Sequence, residues 1–205
     1  MDPGLFAARS PGNGCGVKKR VAVLISGRGS NLQALLDARQ DAYEIVLVVS
    51  NVPDAGGLDR ARAAGVEALT LDHKPYGKDR EAFERDLDNL LVQRNIEIVA
   101  LAGFMRVLTP YFVRAWAGRL VNIHPSLLPK FPGTKTHERA LAAGEKEHGA
   151  TVHLVVEEVD AGEIIGQASM PIVEGDTPES LAQRLLAVEH DLYPRCLAAL
   201  ATKLS

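Results

Sequence analysis

The chain has 205 residues, a formal net charge of −3 and a sequence pI near 6.1. That length sets one domain with a sizeable core. A mildly acidic body argues against a broad nucleic-acid or membrane footprint, so any anionic ligand must be held by a local device.

Residues 1–16 are rich in Gly and Pro and lack periodicity, so they read as a disordered N-terminal extension, with 17–205 as the single domain. The run VAVLI at 21–25 is continuously apolar, as in a strand buried on both faces of a parallel sheet. It is followed at once by Ser26-Gly27-Arg28-Gly29-Ser30-Asn31, and a helical period opens at Leu32, Leu35 and Leu36. A strand, a glycine turn and a helix start form an anion cradle: the glycines let free N–H groups approach, and Ser30 and Asn31 are expected to cap the helix and donate. The loop matches neither a dinucleotide nor a triphosphate fingerprint. The alternative is an ordinary strand-to-helix connection.

YEIVLVVS at 43–50 reads as a second strand. A short helix through Leu58 and Ala61 leads to a third strand at 67–71. Phe83, Leu87, Leu90 and Leu91 then follow helical spacing into a fourth strand at 96–101. Phe104, Met105, Arg106, Val107 and Leu108 leave that strand where a doubly wound sheet opens a crevice. Residues 110–116 read as a short helix with Pro near its first turn. A fifth strand ends in NIHPSLLPKFPG at 122–133. Asn122 and His124, two apart, project together at the strand's C-terminal rim. An amide that can donate to an oxyanion beside an imidazole that can move a proton is equipment for acyl transfer; the plain alternative is a His making one structural hydrogen bond.

Beyond the proline loop the pattern gives a helix at 134–143 ended by Gly144, a strand at 150–156, and an acidic segment at 157–162. A strand at 164–172, broken by Pro171, fits a sheet edge, and a long amphipathic helix at 178–200 carries Leu181, Leu185, Val188, Leu192 and Cys196 on one stripe. The fold class is α/β: a Rossmann-like, open, mostly parallel sheet of about seven strands with helices on both faces. Cys15 and Cys196 offer no disulfide framework or zinc spacing, and the six histidines are scattered, so the reading is no metal and a reducing, cytoplasmic setting. There is no run of about 18 apolar residues and no apolar signal core.

The motifs ISGRGSNL, LAGFMRVL, NIHPSLLPKFPG, HGATVH and VDAGEIIGQ together resemble the glycinamide ribonucleotide formyltransferases, folate-dependent enzymes of purine biosynthesis, over about residues 21–200. The resemblance implies transfer of a formyl group from 10-formyltetrahydrofolate to the amine of glycinamide ribonucleotide, without a covalent enzyme intermediate. It gives Asn122, His124 and Asp160 the catalytic roles, with Asp160 holding the His protonated and ordering water, consistent with a carboxylate favouring a neighbouring imidazolium. It puts the ribonucleotide phosphate at Gly29, Ser30 and Asn31 and its ribose or glycinamide side at Glu189. Leu186 departs from the family pattern, where a polar residue helps with the phosphate. The pterin is expected among Phe104, Met105, Arg106, Val107, Leu108 and Asn122 and the loop of Val156, Glu157, Glu158, Val159 and Asp160, with Arg80 or Arg106 toward the folate carboxylates. Competing readings are a formyltetrahydrofolate hydrolase or a methionyl-tRNA formyltransferase, for whose extra domains the chain has no room, and a non-catalytic nucleotide-binding module. The expected partners are the two small molecules, with no nucleic acid or membrane, in a monomer or homodimer.

Overall fold

The computed structural model describes residues 17–38 and 40–205; the expected tail at 1–16, with Cys15, lies outside the described residues. The chain runs β1 (Lys19–Ile25), α1 (Ser30–Asp37), β2 (Tyr43–Ser50), α2 (Gly57–Ala63), β3 (Glu67–Thr70), α3 (Arg80–Gln93), β4 (Ile98–Leu101), α4 (Pro110–Ala115) and β5 (Leu120–His124). It continues through α5 (Thr136–Ala142), β6 (Glu147–Leu154), β7 (Ile164–Pro171) and α6 (Pro178–Lys203). A single sheet has the order β3-β2-β1-β4-β5-β6-β7. The first five strands are parallel, and β6 and β7 each pair antiparallel with the preceding strand.

Alternation along the strands builds two cores. Val21, Val23 and Ile25 of β1 pack with α1, α2 and α6 on one face, while Ala22 and Leu24 pack with α3 and α4 on the other. The apolar stripe read along 178–200 is therefore a core face, with Leu181, Leu185, Leu192 and Cys196 buried and Val188 partly so. Helix α6 starts with a capping box: the Thr177 hydroxyl accepts from the Ser180 N–H, and the Ser180 hydroxyl accepts from the Thr177 N–H. Its fully buried Tyr193 donates its hydroxyl proton to the Leu101 carbonyl at 2.9 Å, anchoring the helix to the end of β4.

Several boundaries differ from the sequence reading, three of them for a visible reason. The sixth strand begins at Glu147 and ends at Leu154, because Glu147, His148 and Gly149 find partners on β7 (Pro171, Met170 and Ser169), while past Leu154 only the Val155 N–H still reaches β5, at the Leu120 carbonyl. Strand β4 starts at Ile98, although Ile96 is buried in the core. Helix α5 starts two residues late, after Lys135, which sits in the left-handed region at φ 59°. Pro171 closes the edge strand β7, where a missing N–H costs no ladder bond.

Candidate active site

Two constellations lie at the C-terminal ends of the parallel strands. The first is the turn after β1. Gly29 sits at φ 73°, and a Cβ there would meet the Cα of Gly57 at 2.8 Å, so both conformation and packing demand glycine. The Gly57 N–H donates to the Gly27 carbonyl at 3.0 Å, which locks the turn against the start of α2. Gly29 is itself the cap of α1, and no side chain caps it. The expectation that Ser30 or Asn31 caps the helix is therefore corrected: both fall inside its first turn, past the cap position. Asn31 instead donates its amide to Glu189 Oε2 at 2.7 Å, across from α1 to α6. Glu189 is buried, and that burial raises its carboxyl above the usual range, an effect the Asn31 bond partly offsets. The Asn31 Oδ1 is buried without a partner. Leu186 contributes no polar group here.

The second constellation gathers on β5, β6 and the acidic loop. Asn122 and His124 point to the same side of β5, and the antiparallel register sets His153 directly across from Asn122. Asp160, at φ 55° on the loop between β6 and β7, turns its carboxylate inward, a conformation that a short polar side chain tolerates. Its Oδ2 lies 3.3 Å from His124 Nδ1 and accepts the Gly133 N–H at 2.7 Å, while its Oδ1 lies 3.5 Å from His153 Nε2. Burial would raise the Asp160 carboxyl, but the His153 contact, the Gly133 N–H and the nearby His124 together hold it below the usual carboxylate range. The other His124 nitrogen, Nε2, is 3.0 Å from the Phe131 carbonyl. Both of its ring nitrogens thus face acceptors, which a ring with two N–H groups satisfies. Asn122 Nδ2 is 3.5 Å from His153 Nε2.

A cavity of about 150 Å³ opens beside this cluster. One wall is Phe104, Arg106, Val107 and Leu108; the other is Val156, Glu157 and Val159; Asn122, His153 and Asp160 form its polar end. Three expected residues stand apart from it. Met105 is 82% exposed and outside the lining, although its N–H donates to Ser26 Oγ at 2.8 Å. Glu158 lines a groove on the outer side of the loop, next to Arg114. Arg80 contacts the cavity wall from behind, its Nη1 donating to the Val107 carbonyl at 3.4 Å, whereas Arg106 lies over the Phe83 ring at 4.9 Å while lining the cavity.

The loop under the site carries a cis Leu128-Pro129 bond. Beneath it His137 Nδ1 and His148 Nε2 are 3.0 Å apart. Burial, with the nearby His137 and His124, drives His148 down to about 4, against a bond to the Pro125 carbonyl that favours protonation. Among the described residues no group of three or more His, Cys, Asp or Glu side chains is arranged to hold a metal, and no helix is long and apolar enough to cross a membrane.

The formyl transferase model matches residues 19–197. The chain belongs to that family. It is 53% identical over 188 residues to the trifunctional purine biosynthetic protein adenosine-3 of Drosophila melanogaster, covering 89% of this chain and 14% of that protein. It is 47% identical over 177 residues to the phosphoribosylglycinamide formyltransferase of Escherichia coli, covering 85% of this chain and 83% of the relative. The chain thus spans a small part of the trifunctional relatives and most of the bacterial one. Among solved structures, glycinamide ribonucleotide transformylase 1 from Symbiobacterium toebii superposes with a TM-score of 0.87 at 45% identity, covering 91% of this chain and 89% of that one.

His153 is the formyl transferase cluster member to which sequence reasoning gave no role. HGATVH puts it five residues after His148, and so on the opposite face of the strand. The missing step was the antiparallel register that sets it across from Asn122.

Proposed function

We propose that this chain transfers the formyl group of 10-formyltetrahydrofolate to the amine of glycinamide ribonucleotide, in purine biosynthesis and in the cytoplasm, as a monomer or homodimer without a metal. The observation that carries the reading is the Asp160 carboxylate reaching both His124 and His153 beside Asn122, at the mouth of an apolar cavity.

In this reading the phosphate sits at Gly29, Ser30 and Asn31, and Glu189 with the unpartnered Asn31 Oδ1 receives the donors of the ribose or glycinamide portion. The folate ring enters between Phe104, Arg106, Val107 and Leu108 on one side and Val156, Glu157 and Val159 on the other, with Asn122 and Asp160 at its polar edge. Met105 and Glu158 contribute backbone or rim contacts, and Arg106 or Arg80 meets the carboxylate tail. The cavity is smaller than the ~300 Å³ at which whole-ligand pockets begin. It takes the ring system and leaves the tail outside.

The amine nitrogen attacks the formyl carbon, a C–N bond forms, and the carbonyl oxygen becomes an oxyanion. The Asn122 amide and the His124 imidazolium donate to it. The amine's surplus proton leaves through water held by Asp160, the former N10–C bond breaks, and N10 takes up a proton. Asp160 keeps His124 charged and oriented throughout.

The test uses purified protein with formyl-labelled 10-formyltetrahydrofolate. The expected outcome is label in the ribonucleotide product, with no formate released when the ribonucleotide is omitted. Formate release that ignores the ribonucleotide would turn the reading into a hydrolase, and label that never leaves the folate would reject both.

A further inference from the structure

Glu84 on α3 is 1% exposed, and among the described residues it has no ion-pair partner. Burying an acid without a cation is costly unless its oxygens are well bonded. Here both oxygens go to one residue: Oε1 accepts the Thr109 N–H at 2.9 Å, and Oε2 accepts the Thr109 hydroxyl. Thr109 is the cap residue of α4, yet its own side chain caps nothing, because the hydroxyl is turned to Glu84. It directly follows Phe104, Arg106, Val107 and Leu108, the wall of the cavity.

The same stripe of α3 holds that wall at two further points. Arg80, one turn before Glu84, donates to the Val107 carbonyl, and the Phe83 ring lies under the Arg106 guanidinium. Residues spaced by three and four on a helix share a face. One face of α3 therefore fixes the wall at Arg106, Val107 and Thr109, with the buried carboxylate making the best-enclosed of the contacts.

We propose that Glu84 is a positioning residue for the folate, fixing through Thr109 the backbone course of residues 104–109 and hence the width of the cavity. The assignment rests on the formyl-transfer reading for the identity of the ligand. Glu84 touches neither substrate; it acts through the wall. The ribonucleotide turn lies on other elements, so the two substrates respond differently to its loss.

Three variants test this: Glu84→Leu, which keeps bulk and removes both acceptors; Glu84→Gln, which keeps an acceptor for the Thr109 N–H; and Thr109→Val, which removes only the hydroxyl. Losing two enclosed acceptors should raise KM for 10-formyltetrahydrofolate about tenfold or more in Glu84→Leu, with KM for the ribonucleotide and kcat at saturation within about twofold. Glu84→Gln should return most of the loss, and Thr109→Val should show a few-fold rise in the folate KM alone. A purely structural acid would lower Tm in Glu84→Leu and leave the folate KM where it was, which overturns the proposal, as would a parallel rise in both KM values. If Glu84→Leu does not fold, an unchanged folate KM in Thr109→Val overturns it equally. Calorimetric titration with tetrahydrofolate separates the two readings: a wild type that binds it but transfers no formyl group fails the function reading, while the Kd ratio between wild type and variants still reports on Glu84.

Discussion

The two constellations at the strand ends are finished to different degrees. In the cluster of Asn122, His124, His153 and Asp160 the imidazoles and the carboxylate face one another, the Phe131 carbonyl or the Gly133 N–H, so the site is assembled before any ligand arrives. At the turn after β1, Asn31 keeps a buried oxygen with no partner, and Glu189 is buried at the expense of its ionised form. One region is satisfied by its own groups; the other holds a polar arrangement that a ligand's donor would complete. Preorganisation suits the group that meets a developing charge, and an unsatisfied pair suits the group that selects a substrate.

Breaking the finished region should have the largest effect. His124→Gln keeps polarity and removes the imidazole proposed to stabilise the oxyanion, so transfer should fall by roughly 10²–10⁴-fold with both KM values little changed, as read by steady-state kinetics. Breaking the unfinished region should give the opposite pattern. Glu189→Gln can donate to the orphaned Asn31 Oδ1, so the ribonucleotide KM should rise by roughly tenfold or more while the ligand-free protein gains thermal stability of about 1 kcal/mol. The sign follows from the raised carboxyl: its ionised form is the costly one, so the gain should be present at neutral pH and vanish as acid neutralises Glu189 in the parent protein.

The histidine pair under the proline loop sharpens the same contrast through stability. His148 is lowered to about 4, so the folded state binds fewer protons than the unfolded state between there and the ordinary value of about 6.5. Stability should be full above that window and fall as pH drops through it, by up to about 3 kcal/mol, and chemical denaturation of His148→Gln against the parent at several pH values reads the difference. The smallest effect is expected from removing residues 1–16, whose Gly- and Pro-rich composition gives no apolar face to bury: Tm and transfer should stay within error.

How much of this was written in the sequence depended on range. Strands such as 21–25 and 43–50 announced themselves because a strand covered on both faces must be apolar throughout, and Gly29 was legible because its turn is local. Asn122 and His124 shared a face by strand periodicity alone. Asp160 came from family resemblance, since nothing in residues 157–162 says which acid turns inward; the left-handed backbone at Asp160 decides it. The capping role given to Ser30 and Asn31 failed because Gly29 had already taken the cap position, leaving the Asn31 amide to a helix 158 residues away in sequence. Met105 was grouped with its neighbours by contiguity, but it faces water, its N–H turned to Ser26, while Phe104, Arg106, Val107 and Leu108 line the cavity. Glu84 drew no role from the sequence, because its partner Thr109 lies on a different element.

The central claim is that the Asp160 charge acts through His124 in the transfer step and not in holding either substrate. Asp160→Asn keeps the size and removes the charge, and a single-turnover measurement with both substrates saturating isolates the step. The account predicts a transfer rate lower by roughly 10²–10⁴-fold, with the Kd of each substrate within a few-fold of wild type. A variant that transfers formyl at the wild-type rate, or whose entire loss is recovered by raising substrate concentration, would contradict it.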